Sequence, residues 1–366
     1  MMFSGCKDDK KDTKDSSVVK EDFDYASKTA DDLLKEIKDV ENITVDEYAW
    51  LMSTYQYVSV TDTLMLEENI TDEAFNKLYE MENSVYPDMQ AVFDILIESE
   101  SPQVRGSSMD LAYSLFGVND DNINKIMEVV KDEKDPFVLN CAVNALANEG
   151  STSPEIGEFL VNMAKHEHAT IRQSAAYALG SSWSEGVDGA VETIIALMSD
   201  SDDNVRKAAY GYAGNLGDES VIDPIVEMLN NPEEVDMHSY GVDSLVTLWF
   251  DFPFHEKTSE KAYNATMDYF RLAADSDNAD IPYWTTVTSF NIQGDAYETW
   301  KEKATYFDAK EVVEVMTNIF KNENLESFAR SGAIETISIY GTIDDLKALK
   351  PMPIFQTKWL IAVANP

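Results

Sequence analysis

The chain is poor in cysteine and in basic residues, and it has no long apolar run. Two cysteines in 366 residues exclude a disulfide-rich scaffold. Lys and Arg total 28 against 68 Asp and Glu, so the net charge is −40. That charge argues against nucleic acid or an anionic lipid surface as a partner, because both attract basic proteins. The sequence has no run of about 18 apolar residues, so it predicts no membrane-spanning helix.

Catalytic and metal-binding signatures are missing as well. The sequence contains no G-x-S-x-G, Walker loop, dinucleotide fingerprint or HExxH. His166 and His168 are two residues apart and do not share a helix face, which argues against a zinc site. Residues 275–280 resemble a calcium loop but lack its glycine and its last glutamate, so weak association of Ca²⁺ with exposed carboxylates stays open. We predict no enzyme activity, no cofactor and no bound metal.

A repeat occupies the middle of the chain. Its apolar anchors, Val104, Val138, Ile171 and Val205, are 34, 33 and 34 residues apart, a period typical of stacked supersecondary units. Positions are counted from the anchor of each repeat. Small residues stand at +3 and +4, and further pairs such as Tyr212 and Ala213 stand at +7 and +8; this spacing predicts one buried helix face. A second apolar helix is predicted over 123–130, 156–163, 191–198 and 221–229. Each unit is therefore predicted to be a helical hairpin; Ser153 and Ser220 are the candidate caps of two second helices.

The repeat resembles a known family. Residues 202–209, Asp-Asp-Asn-Val-Arg-Lys-Ala-Ala, match the D-x-x-V-R-x-x-A signature of HEAT repeats. The resemblance covers roughly residues 100–250 and 323–346. It implies an all-α fold, a right-handed α-solenoid (superhelix) of HEAT-like helical hairpins.

Arginine is rare, and its distribution follows the repeat. Of five arginines, four share one repeat column: Arg105, Arg172, Arg206 and Arg330. The resemblance implies that each pairs with an acidic residue of a neighbouring repeat, which would form a structural ladder. Ser101, His168 and Glu326 replace the expected aspartate, so we expect an interrupted ladder. A row of arginines that binds an anionic ligand is the alternative.

The N-terminus resembles a bacterial lipobox. Phe3-Ser4-Gly5-Cys6 is followed by a polar, charged stretch over 7–17. The resemblance implies lipidation of Cys6 and a membrane contact by lipid anchor only, and Lys7 favours the outer membrane of the envelope. Only five residues precede Cys6, so we expect either a start codon placed too late or a leader already removed. A chance cysteine in a disordered cytosolic terminus is the alternative.

We divide the chain into five segments. They are a disordered lipoprotein-type tether (1–20), degenerate N-terminal hairpins (21–99), regular HEAT-like repeats (100–248), aromatic-rich irregular repeats with insertions (249–322), and a C-terminal HEAT-like repeat and cap (323–366). Insertions in a solenoid often form its binding face. The candidate partner-binding residues are Trp249, Phe250, Phe252, Phe254, Tyr297 and Trp300. The alternative is that these aromatics fill a small core of their own.

The combined prediction is a non-enzymatic protein-binding or assembly scaffold on the bacterial envelope, whose partner is another protein. One alternative is a HEAT-like lyase or chaperone acting on another protein. The other is a passive, acidic, calcium-associating surface lipoprotein.

Overall fold

The structure is a computed structural model that describes residues 89–99, 102–111, 119–181, 184, 186–250, 258–275, 300–325 and 327–349. Predictions for the tether, Cys6, residues 21–88, Phe252, Phe254 and Tyr297 lie outside the described residues. Within them every regular element is an α-helix or a short 3-10 helix, and there is no strand. The predicted all-α solenoid is confirmed.

Fourteen α-helices account for most of the described chain. In order they are α1 Met89–Leu96, α2 Pro102–Leu111, α3 Asp120–Val130, α4 Pro136–Ala145, α5 Pro154–Met163, α6 Ala169–Leu179, α7 Ala190–Leu197, α8 Asp203–Tyr212, α9 Ile222–Leu229, α10 Val235–Phe250, α11 Glu260–Ala274, α12 Ala309–Lys321, α13 Ser327–Tyr340 and α14 Ile343–Ala348. Short 3-10 helices cover Ala213–Leu216, Glu219–Val221 and Pro232–Glu234.

The helices stack in two rows. The first-helix row contains α2, α4, α6, α8 and α10, and each of these packs against the next one in the row. The second-helix row contains α3, α5, α7, α9 and α11, and contacts run along it between α5 and α7 and between α9 and α11. Beyond α11, α12 packs on α11 and on α13. Each repeat therefore buries its apolar faces mainly against its neighbours, as expected of a solenoid.

Small residues let the first helices approach closely. Cys141, Ala142, Ala175, Ala208 and Ala209 are buried in the predicted small-residue column. The tightest approach is at Gly214, where an added Cβ would lie 2.3 Å from the carbonyl oxygen of Ser244. The Gly214 amide donates to Ser244 Oγ at 2.9 Å, so this contact joins backbone and side chain across two repeats.

Helix caps follow local sequence with one exception. Asp135 and Asp202 each accept two backbone amides at the starts of α4 and α8, and Ser153 caps α5 as predicted. The cap predicted at Ser220 is wrong. Asp218 takes that role, because its carboxylate accepts the Ser220 amide at 2.8 Å and starts the preceding 3-10 helix.

Candidate functional site

The aromatic residues predicted as partner contacts lie in the core where the structure describes them. Trp249 is 0% exposed, and Phe250 and Trp300 are also buried. The indole of Trp300 donates to the carbonyl oxygen of Trp249 at 3.1 Å, and the hydroxyl of Tyr306 donates to the same oxygen at 3.0 Å. The rings of Trp249, Trp300 and Phe307 contact one another. These side chains fill a core, which was the alternative interpretation, and offer little surface to a partner.

Arg172 shows how the arginine column joins repeats. Its Nε and Nη2 donate to the two carboxylate oxygens of Asp200 at 2.7 and 2.8 Å, a bidentate pair that reaches 28 residues along the chain. Its Nη1 donates to the carbonyl oxygens of His166 and Glu167. The side chains are only 15% and 11% exposed. The hydrogen bond from Arg172 lowers the pKa of Asp200 below its ordinary value.

Arg105 and Arg206 make equivalent contacts. Arg105 donates to Glu133, again 28 residues further on, and to the carbonyl oxygen of Ser99, six residues back. Arg206 donates to the carbonyl oxygen of Asp200, also six residues back. Its Nη2 lies 2.8 Å from Asp203 on the same helix and 3.6 Å from Glu234, which is 28 residues further on. The pair between Arg206 and Glu234 is therefore longer than the corresponding pairs of Arg105 and Arg172. Three of the four arginines thus tie the end of one hairpin to the start of the next.

The acidic partners differ from those that the signature indicates. The signature aspartates, Asp135 and Asp202, cap their helices, while the carboxylates that meet the arginines lie two residues earlier, at Glu133 and Asp200. Burial acts to raise the pKa of Glu133, but backbone amides and Arg105 together hold it below its ordinary value. His168 starts α6 without a side-chain capping bond, so the substitution there weakens a cap rather than the ladder.

Arg330 departs from the pattern. It is buried, its Nε donates to the carbonyl oxygen of Phe320 at 2.8 Å, and its guanidinium lies 5.6 Å from the centre of the Phe320 ring. Burial lowers its pKa. This arginine fastens α13 to the end of α12, so it serves packing in a different way from the other three.

Exposed aromatic side chains gather on the first-helix row instead. Tyr177 on α6, Tyr212 on α8 and Tyr240 on α10 are 41%, 40% and 37% exposed. The rings of Tyr177 and Tyr212 meet edge to face with centroids 4.9 Å apart. We call these three residues the tyrosine row. It crosses three consecutive repeats, so it is a surface that the stacking itself creates.

Two glycines position the tyrosine row. A Cβ on Gly180 would lie 2.5 Å from Tyr212 Cβ, and one on Gly211 would lie 3.2 Å from the ring of Tyr240. Tyr212 and Tyr240 therefore each lie against the backbone of the preceding repeat. On the other side, Gln173 donates to the hydroxyl of Tyr177 at 3.2 Å. Burial and the neighbouring Tyr177 raise the pKa of Tyr212, so the Tyr212 hydroxyl keeps its proton at neutral pH.

Sequence reasoning missed this surface. The helical spacing placed Tyr212 on the buried face at +7, and that prediction is wrong because Gly180 leaves the tyrosine backbone close to α6 and its ring at the surface. The available signal was a bulky tyrosine in a column that holds Ala145 and Ala178 in the two preceding repeats and Leu111 in the first. A large residue among small ones at a close helix contact must project outward.

The two rows carry different charge. All eight carboxylates of α3, α5, α7 and α9 are exposed: Asp120, Asp121, Glu128, Glu155, Glu158, Glu192, Asp223 and Glu227. By contrast, α4 and α6 carry no carboxylate. Elsewhere in the first-helix row, α2 has Asp110, α8 has Asp203, and α10 has Asp236 and Asp243. The described solenoid therefore has an acidic second-helix face and a first-helix face with little charge and exposed tyrosines.

The three histidines in the described part of the chain are placed as structural residues. His238 is buried on α10, where its ring nitrogens lie 3.2 Å from the Tyr269 hydroxyl and 3.3 Å from the carbonyl oxygen of Asn231. His166 accepts the backbone amide of His168, and their rings stack. Across the described ranges, His, Cys, Asp and Glu side chains do not come together in groups of three or more that could hold a metal. None of the described helices is long and apolar enough to cross a bilayer.

Comparison with known proteins bears on the central repeats. The family model of HEAT repeats matches residues 157–238, which include Arg172, Arg206, Tyr177 and Tyr212. No curated protein matches the chain. Among solved structures it is similar to an engineered protein determined by a structural genomics consortium, at 15% identity and a TM-score of 0.34, over 88% of this chain and 98% of the other. A likeness at that TM-score adds nothing to the helix packing described above. The match to the HEAT-repeat family therefore covers residues 157–238, and the described residues around it fold as an all-α solenoid.

Proposed function

We propose that the protein is a non-enzymatic scaffold that binds another protein through the tyrosine row. The observation that supports this most strongly is the row itself: three large, partly exposed aromatic side chains on consecutive HEAT-type repeats. Tyrosine is enriched where proteins bind one another, because it offers a large contact area with few rotatable bonds. HEAT repeats commonly serve as protein-binding scaffolds, which fits this use.

The rest of the described surface favours binding over catalysis. The described arginines of the repeat column and the buried His238 are engaged in packing contacts within the chain. The carboxylates of the second-helix row are exposed to solvent rather than gathered in a cleft. A scaffold needs only an extended surface, which stacked hairpins supply.

We further propose that the scaffold is anchored to the bacterial envelope by lipid at Cys6, on the outer membrane. The support is the Phe3-Ser4-Gly5-Cys6 sequence and the polar stretch that follows it. Several acyl chains on one cysteine would hold a protein at a bilayer, since each buried methylene contributes about 0.8 kcal/mol.

Affinity capture tests the binding proposal. Full-length wild type, the triple variant Tyr177→Ala/Tyr212→Ala/Tyr240→Ala, and Leu272→Ala are immobilised, and proteins from envelope extracts of the source cells are quantified by mass spectrometry. Leu272 is the matched control, because it is exposed but lies on α11 in the other row. We expect specific partners that the triple variant loses and the control keeps. Equal recovery by all three proteins would rule out the tyrosine row as the binding surface.

A separate measurement tests the anchor. Mass spectrometry of the peptide that contains Cys6, from protein made in the source cells, should show an acylated cysteine. Cys6→Ser should move the protein from the detergent phase to the aqueous phase on Triton X-114 partition. An unmodified Cys6 in a protein that partitions into water would contradict the anchor and leave the binding proposal standing.

A further inference from the structure

We propose that the segment bound by the tyrosine row is rich in lysine or arginine. This inference rests on the proposed function and adds the chemistry of the partner. It combines the ring chemistry of the row, the charges beside it and the field of the whole molecule.

The rings supply the short-range attraction. A lysine or arginine side chain over the face of a tyrosine is attracted by the electrons of the ring. Tyr177, Tyr212 and Tyr240 present three such rings on three helices, so an extended segment could meet them in turn. Gly180 and Gly211 bring Tyr212 and Tyr240 against the neighbouring helices, so these two side chains are positioned in advance and binding orders few side chains.

The charges nearest the row favour a cation at one end. Asp236 and Asp243 are exposed one helical turn to either side of Tyr240 on α10. Lys207, half-buried on α8 four residues before Gly211, opposes them. The arginines of α6 and α8 already meet carboxylates within the chain. Two exposed carboxylates therefore flank Tyr240, with Lys207 as the opposing charge on the neighbouring helix.

The whole molecule acts in the same direction at longer range. A net charge of −40 attracts cationic segments, steers them during diffusion and repels a second copy of this chain or an acidic partner. Attraction to the second-helix face alone would be diffuse, because its carboxylates are spread over four helices. The tyrosine row gives that attraction a defined place to act.

Fluorescence anisotropy with labelled deca-arginine at about 150 mM NaCl tests the inference. Full-length wild type is compared with Y177A/Y212A/Y240A, with Y177F/Y212F/Y240F, and with E158Q/E192Q/E227Q, which removes three charges from the second-helix face. D236N/D243N and K207Q change the charge beside the row in opposite directions. Circular dichroism and melting curves check that each variant is folded.

The expected pattern is specific to the row. The triple alanine variant should bind about thirtyfold to a hundredfold more weakly, at about threefold to fivefold for each tyrosine, and the phenylalanine variant should stay within about threefold of wild type. D236N/D243N should weaken binding and K207Q should strengthen it, each by about twofold to fivefold. The second-helix variant should lose no more than about threefold.

Two outcomes would overturn the inference. One is a folded triple alanine variant that binds deca-arginine as well as wild type does. The other is a second-helix variant that loses more affinity than the triple alanine variant. If either occurs while affinity capture still depends on the three tyrosines, the proposed function stands and only the cationic character of the partner is refuted.

Discussion

At the scale of single residues, the arginine column shows most clearly how one side chain stabilises the packing of neighbouring hairpins. Arg172 joins Asp200, in the loop that leads into the next hairpin, to carbonyl oxygens in the loop that precedes its own helix. A guanidinium can make both contacts at once because its donors point in fixed, divergent directions. The equivalent contacts of Arg105 show that the same chemistry recurs along the solenoid.

Arg172→Ala should lower the free energy of unfolding by about 2–4 kcal/mol, because it leaves the mostly buried Asp200 carboxylate without its bidentate partner. Urea denaturation at pH 7 measures this. Lys131→Ala is the control, since Lys131 forms an exposed pair with Glu128, three residues earlier, and should change stability by less than about 1 kcal/mol. Equal effects of the two substitutions would contradict the structural role assigned to Arg172.

The same pair predicts a pH dependence. Arg172 lowers the pKa of Asp200 in the folded protein. The carboxylate therefore contributes stability above its unfolded pKa of about 4, and the contribution is lost as pH falls through the lower folded value. The difference in unfolding free energy between wild type and Arg172→Ala should therefore shrink between about pH 5 and pH 3. A difference that stays constant over that range would show that Asp200 is not the group involved.

The burial of His238 predicts a second pH range, nearer neutrality, in which stability depends on pH. Burial outweighs the carbonyl oxygens of Asn231 and Met228 and the charge of Glu234, so the pKa of His238 is lowered in the fold. The unfolded chain binds a proton below about pH 6.5 that the folded chain does not, so stability falls as pH drops from there. His238→Gln should remove up to about 1.4 kcal/mol per pH unit of that slope. Unfolding curves at pH 7.5 and 5.5 measure it; an unchanged slope would contradict a neutral buried His238.

At the scale of helices, much of the architecture was predictable. The buried face of a helix repeats with a fixed spacing, so the anchors and the small residues after them located α4, α6 and α8, and the apolar runs located α5 and α9. The ion-pair partners that join one repeat to the next were harder to predict from the sequence. Glu133 and Asp200 lie in loops before the caps, and their approach to Arg105 and Arg172 depends on how two hairpins stack.

The exposed tyrosines show the same limit. The position of Tyr212 depends on Gly180, which belongs to the preceding repeat and is 32 positions away along the chain. Periodicity within one helix therefore cannot predict that the Tyr212 ring is exposed. The aromatic residues around Trp249 illustrate the opposite error. Their density resembles a binding surface in the sequence, but the structure uses those it describes to fill the space between α10, α11 and residues 300–307.

Glycine substitutions test the close packing of the first-helix row. Gly214→Ala should destabilise the protein by about 1–3 kcal/mol, because the added methyl would meet the backbone of Ser244. Gly211→Ala should stay within about 1 kcal/mol of wild type, since its methyl meets only the flexible ring of Tyr240 and alanine favours the helix. Thermal unfolding of both variants measures the difference in stability. Equal stability of the two would contradict the backbone contact between repeats.

At the scale of the whole molecule, the charge of −40 shapes both stability and recognition. The carboxylates of the second-helix row are exposed and repel one another over distances that salt screens, with a screening length of about 8 Å at physiological ionic strength. The first-helix row has fewer charges, so the repulsion is not uniform around the solenoid. That asymmetry leaves a face on which another protein can dock with little desolvation of carboxylates.

Melting curves against salt separate screening from ion binding. NaCl should raise the melting temperature by screening the repulsion between carboxylates, and CaCl₂ at matched ionic strength should give the same gain if screening is the whole effect. A larger gain at low CaCl₂ that NaCl cannot reproduce would contradict screening and favour calcium binding.

The most direct test of the binding face uses site-specific photo-crosslinking. The photoreactive amino acid p-benzoylphenylalanine replaces Tyr212 on the first-helix row in one protein and Glu192 on the second-helix row in another; both positions are exposed. After irradiation in extracts of the source cells, position 212 should yield a discrete adduct with a partner protein and position 192 should not. An adduct at position 192 with none at position 212 would contradict a scaffold that binds through its tyrosines.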